Sequence, residues 1–216
     1  MKGEALFNAT QIVSRAGEEI DAMIEKLFAL FEKAFESHGE ISRIVALEPQ
    51  RDENDWALIG YLEQYGLHRP RGRRPSAHLA IQVKLSDDRE GSLVGMEPLL
   101  YVLFSGKGEW EYDEFLLANV SKEDGWKLNG GKLWEWFDTD EKNVADRPWY
   151  DAQWAFVLPL VSMNTEDDLR KEIVSPVIAL IDGKSPEKAF AEAKKVLSFV
   201  QNGEEVCLET TVELRD

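Results

Sequence analysis

Three features of this 216-residue chain predict an α+β fold: a mainly antiparallel sheet with a long N-terminal helix and two C-terminal helices packed on one face. Apolar residues recur at three- and four-residue steps near the N-terminus. Short alternating runs separated by turn residues fill the middle, and helical spacing returns after Met163. No internal repeat or low-complexity linker divides the chain, so residues 1–216 read as one domain, and its length allows a sizeable core.

The first helix is expected from Thr10 to about His38, where Val13, Ile20, Met23, Ile24, Leu27, Phe31 and Phe35 form one stripe. Gly17 would split off its first turns and Gly39 would stop it. Core packing is the expected use of the stripe. A helix presenting Phe28, Phe31 and Phe35 would also serve as a dimer seam, which leaves self-association open.

The sheet region spans about 43–160. Strands are expected at Arg43 to Leu47, Trp56 to Tyr61, His78 to Leu85, Leu99 to Phe104, Tyr112 to Leu117 and Gln153 to Leu160. A hairpin is the sharpest local signal: Trp126 to Leu128 and Lys132 to Trp136 flank Asn129-Gly130-Gly131, which supplies the positive φ values of a tight turn. Trp134 and Trp136, two apart, face one side.

Two helices and a strand are expected over 165–214. Thr165 with Asp168 three residues on is a capping-box variant, and Pro176 must kink or end the helix that it opens. Ser185 as N-cap and Pro186 as first helical residue open a second helix, striped by Ala189, Phe190, Ala193, Val196, Leu197 and Val200 and ended by Asn202-Gly203. Val206, Leu208, Thr210, Val212 and Leu214 then alternate as a strand with an acidic outer face.

Composition narrows the function classes. The net charge is −16, which disfavours broad contact with a nucleic-acid backbone, because phosphate binding requires Lys and Arg to displace counterions. One loop opposes the trend. Arg69, Arg71, Arg73 and Arg74 lie within residues 67–76, and outside it 21 basic residues face 41 acidic ones, a balance of −20. The chain lacks an apolar run of about 18 residues and a signal-like N-terminus, so it reads as cytoplasmic with no membrane contact. Cys207 is its lone cysteine, and with His38, His68 and His78 scattered no zinc spacing exists. No metal or cofactor is expected.

Six of seven tryptophans, Trp110, Trp126, Trp134, Trp136, Trp149 and Trp154, fall among acids that include Glu109, Glu111, Asp113, Glu114 and Asp151. Indoles anchor interfaces and surrounding charge steers an oppositely charged partner. A binding surface is therefore expected at Glu109, Trp110, Glu111, Asp113, Glu114, Trp134 and Trp136, with a basic protein as partner: a nucleic-acid-handling enzyme that this chain inhibits, or a cationic toxin that it neutralises. The arginines at 69, 71, 73 and 74 are the second candidate surface and the only route to direct nucleic-acid contact.

The alternative is a divergent Mg²⁺-dependent nuclease. In such sites an acid on one strand joins a D/E-x-K triplet on the next, whose lysine positions the attacking water. Glu63, Gln82 and Lys84 would be its degenerate version, with Asp52 or Asp55 competing for the first acid and Glu19 as an extra ligand. Gln82 in the carboxylate position weakens it. A sugar-cleaving carboxylate pair among Glu109, Glu111, Asp113, Glu114 and Glu135 is weaker still, since acids are common throughout the chain. No G-x-S-x-G occurs, and Ser105-Gly106-Lys107-Gly108 lacks the spacing of a phosphate loop.

Overall fold

The computed structural model describes residues 3–51, 60–85, 98–111, 114, 115, 117, 125–136, 148–202 and 205–208. Helix α1 (Gly3–Phe35) continues unbroken through Gly17. The strands are β1 (Arg43–Ala46), β2 (Gln50–Arg51), β3 (Gly60–His68), β4 (Ala77–Lys84), β5 (Leu99–Ser105), β6 (Trp126–Asn129), β7 (Leu133–Trp136), β8 (Gln153–Pro159), β9 (Phe199–Asn202) and β10 (Glu205–Leu208). The main sheet runs β1-β3-β4-β5-β8-β7-β6, with β2 on the same edge of β3 as β1. All its pairings are antiparallel.

Both faces of this sheet are covered, which is why β4 and β5 are apolar nearly throughout rather than alternating. On one face Tyr65, Leu67, Leu79, Ile81, Val102, Phe104, Trp154 and Phe156 share a core with Ile24, Leu27, Phe31 and Phe35 of α1. Full burial of Leu27 or Phe31 contributes about 1.5–3 kcal/mol. The alternate positions Leu62, Ala80, Tyr101, Leu103, Ala155 and Val157 form a second core with Trp110, Phe115, Leu117, Trp126, Trp134 and Phe199. Residues of the loop after β5 cover that face, and the β6–β7 hairpin extends the sheet beside β8.

Several expectations change. Of the expected strand Trp56 to Tyr61 only Gly60 and Tyr61 are among the described residues; both belong to β3, which extends through Leu67 and His68. The arginine loop therefore begins at Arg69. No strand forms at the described positions of Tyr112 to Leu117: the Glu114 N–H bonds the Glu111 carbonyl in a turn, and Phe115 and Leu117 are pulled into the second core. The hairpin turn uses Gly130 (φ 59°) and Gly131 (φ 70°), while Asn129 stays in β6.

The C-terminal region departs most. The first helix starts as α2 (Glu166–Leu169) with the Thr165–Asp168 capping box in place, widens into a π turn at Arg170–Val174, and resumes as α3 (Ser175–Ile181). The π turn absorbs Pro176, which offers no N–H and crowds the preceding turn. The second helix is one turn, α4 (Pro186–Ala189), and not the long helix expected to Val200. Distant acceptors explain its early end. The buried Glu172 carboxylate takes the N–H groups of Lys194 (3.2 Å) and Lys195 (2.8 Å), Val157 O takes that of Leu197 (2.9 Å), and Gly131 O takes that of Phe199 (2.7 Å). Residues beyond α4 thus enter β9, which pairs with β10 in a separate ribbon. Positions 209–214 of the expected final strand lie outside the described residues.

Candidate functional site

Antiparallel pairing gathers four connections at one end of the sheet. Leu67 is registered with Ala77, His78 with Ser105, and Ser105 with Gln153, so the loops after β3, after β5 and before β8 meet there. The turn after α1 joins them through Ser42 N–H, which bonds the His68 carbonyl at 2.8 Å. All three histidines and all four loop arginines lie on these connections or at the strand ends that they join.

The β3–β4 loop is closed by the Gly72 N–H bonded to Arg69 O (2.9 Å) and carries Arg71 at φ 65°, a left-handed conformation that costs a non-glycine residue free energy. Arg69, Arg71, Arg73 and Arg74 are exposed, and none pairs with a carboxylate among the described residues. The Arg69 guanidinium lies 4.6 Å from the centre of the Tyr150 ring. Tyr150 is itself wedged: a Cβ on Gly106 would fall 1.8 Å from the Tyr150 carbonyl oxygen, so only glycine lets these segments meet. At the base of the loop Arg43 Nη2 lies 3.2 Å from His68 Nδ1, and burial, then the Arg43 charge, lowers the His68 pKa against an opposing backbone hydrogen bond at Gly72. Burial also lowers that of His78.

Three adjoining depressions, of about 480, 480 and 470 Å³, run from this loop along the helix side of the sheet end. Arg69, Arg71, Gly39 and Glu40 line the first. Glu40 continues into the second with His38, Trp149 and Asp182, and Trp149 continues into the third with Trp136, Glu135 and Lys184. The acids along this groove have internal partners: Glu40 accepts from Trp149 Nε1 (2.7 Å), Asp182 lies 3.1 Å from His38 Nε2, and Glu135 accepts from Asn129 Nδ2 (2.8 Å).

The expected aromatic surface is largely core. Trp110 is 1% exposed and Trp134 2%, so both are corrected from partner contacts to packing residues; the second sheet face needed large side chains and these supply them. Trp126 and Trp154 are also buried, whereas Trp136 and Trp149 are half-buried. Gln64 explains why Trp110 stays in place. Its Nε2 donates to Trp110 O at 2.7 Å, its Oε1 accepts the Trp110 N–H at 2.8 Å, and Gln50 Nε2 donates a second bond to that carbonyl at 3.0 Å. The loop is anchored as a strand would be, and it leaves Glu109, Glu111 and Glu114 exposed around a buried indole. Asp113 lies outside the described residues. Trp136 carries the Lys107 ammonium 4.0 Å from its ring centre.

The nuclease residues do not converge. Directly paired residues share a face, and Glu63 is registered with Ile81 whereas Gln82 is registered with Leu62. Glu63 thus lies on the helix side, bonded by the Tyr61 hydroxyl, and Gln82 and Lys84 project from the other face, where both are buried. Glu19 is exposed on α1, and Asp52 and Asp55 lie outside the described residues. Among the described residues no three His, Cys, Asp or Glu side chains are grouped to hold a metal, and no helix is long and apolar enough to cross a membrane.

Sequence reasoning missed the Gln64 clamp and the Trp149–Glu40 contact. A glutamine amid the apolar residues of β3 was the available signal for the first; the second joins residues 109 positions apart and had none. No family model, curated protein or solved structure matches the chain.

Proposed function

We propose that this chain works by binding a basic macromolecular partner through the anchored acidic loop that contains Glu109, Glu111 and Glu114. The observation that carries this reading is the fixed backbone at Trp110, held from both sides by Gln64, beneath three exposed carboxylates. A backbone already fixed at Trp110 loses little conformational freedom there on association, and the charge beside it raises the encounter rate with a cationic surface. Trp136 supplies the aromatic component in place of Trp110 and Trp134, and Lys107 over its ring marks a cation-accepting face. A basic groove of a nucleic-acid-handling enzyme, or a cationic toxin, fits this chemistry. The Arg69–Arg74 loop would repel the same partner and so orient it.

The test is surface plasmon resonance against the partner recovered by salt-eluted pull-down. Reversing Glu109, Glu111 and Glu114 to lysine is expected to lower the association rate by about tenfold or more at low salt and to flatten its ionic-strength dependence. An association rate that ignores both the reversal and the salt would falsify the assignment of this loop.

A further inference from the structure

The groove beside the arginine loop has a chemistry opposite to that of the acidic loop. Its acids are engaged internally, Glu40 by Trp149, Asp182 by His38 and Glu135 by Asn129, whereas its guanidiniums have no carboxylate partner among the described residues. Four arginines on one exposed loop concentrate positive charge in a chain of net charge −16, and such a concentration suits an anion from outside. The left-handed Arg71 adds to this, because the strain holds a guanidinium-bearing residue at the loop tip where glycine would be the relaxed choice. Guanidinium forks match phosphate oxygens, and Arg69 and Arg71 line the first depression.

Beyond the arginines the groove becomes aromatic. Arg69 lies over Tyr150, Trp149 lines both the second and third depressions, and Asn129, Ser185 and Gln153 line the third. Phosphate-binding cations followed by ring faces and amide or hydroxyl groups suit a strand whose bases are unpaired. A duplex suits it less, since the wide polyanion would meet the negative charge elsewhere on the chain.

We infer that this groove binds single-stranded nucleic acid, with phosphates on Arg69, Arg71, Arg73 and Arg74 and a base against Trp149. Trp149 packs on the helix side of the sheet and the acidic loop on the opposite face, and the inference does not depend on the reading given for that loop.

The experiment titrates the full chain with a single-stranded thymidine oligonucleotide, following tryptophan fluorescence over a salt series, with a duplex of the same length and inorganic phosphate as further arms. Engagement of three or four phosphates is expected to give a log–log salt slope of about −2 to −3, and each arginine removed should make it shallower by about 0.7. Arg71→Gly tests the loop without endangering the fold, because glycine relieves the left-handed strain. Trp149→Phe should weaken binding and reduce the fluorescence quench while leaving the salt slope in place. Thermal melts confirm that each variant is folded. The inference is overturned by absence of binding at low salt, by equal affinity when all four arginines are replaced with alanine, by a duplex binding as tightly as the single strand, or by inorganic phosphate displacing the strand at equal phosphate concentration.

Discussion

At the scale of single residues, the buried polar atoms separate structural from titratable roles. Tyr65 packs against Phe28 with ring centres 5.2 Å apart, and its hydroxyl is buried without a hydrogen-bond partner among the described residues. Burial, reinforced by nearby Glu63, raises its pKa far above the usual phenol range. Removing an unsatisfied buried hydroxyl relieves a desolvation penalty, so Tyr65→Phe should leave stability unchanged or raise it by up to about 1 kcal/mol, read as the urea midpoint. His68 and His78 act differently. Their folded pKa values are lowered, so the unfolded chain takes up protons first and the stability present above the unfolded value of about 6.5 is lost as pH falls below it. Urea midpoints between about pH 7.5 and pH 5 should decline, and replacing both histidines with glutamine should remove part of that decline. An identical decline in the double variant would show that other groups cause it.

Among the elements, two helix starts that resemble each other in sequence differ in structure. Thr165 Oγ1 accepts the Asp168 N–H at 3.1 Å, and Asp168 Oδ2 accepts the Thr165 N–H at 3.0 Å. Lys195 reinforces the pair by bonding Asp168 and, at 2.7 Å, Ser162 O; this lowers the Asp168 pKa. Ser185 makes no side-chain bond to a helix N–H, and its helix is a single turn. Thr165→Ala should therefore cost about 0.5–2 kcal/mol in denaturant unfolding, and Ser185→Ala less than about 0.5 kcal/mol. Equal losses would mean that the capping geometry does not control these starts. The helix beyond α4 was never a local question: Glu172 and Val157 O compete successfully for the N–H groups that it would have used.

For the whole molecule, the decisive feature is a sheet covered on both faces. It divides residues that a linear reading groups together, with Glu63 on one side and Gln82 and Lys84 on the other. The chain is accordingly expected not to cleave single- or double-stranded DNA or RNA with Mg²⁺ or Mn²⁺. Metal-dependent cleavage lost in Lys84→Ala would require a rearranged sheet and would restore the nuclease reading. The same architecture sets the exposed acids Glu109, Glu111 and Glu114 on a loop that packs on the second core, and Arg69 and Arg71 at the groove on the helix side.

The sequence by itself determined the long amphipathic helix, strands β4, β5 and β8, the hairpin, the capping box at Thr165 and the polarised charge at Arg69 to Arg74. These follow from spacings of two to four residues and from backbone preferences that act within one turn or strand. Tertiary structure alone decided that Trp110 and Trp134 are core while Trp136 and Trp149 are half-buried, and that Arg69 lies over the Tyr150 ring. Burial depends on what covers the second face of the sheet, and the end of α4 on acceptors elsewhere in the chain. Such competition is settled between partners far apart in sequence, where no local spacing carries its outcome.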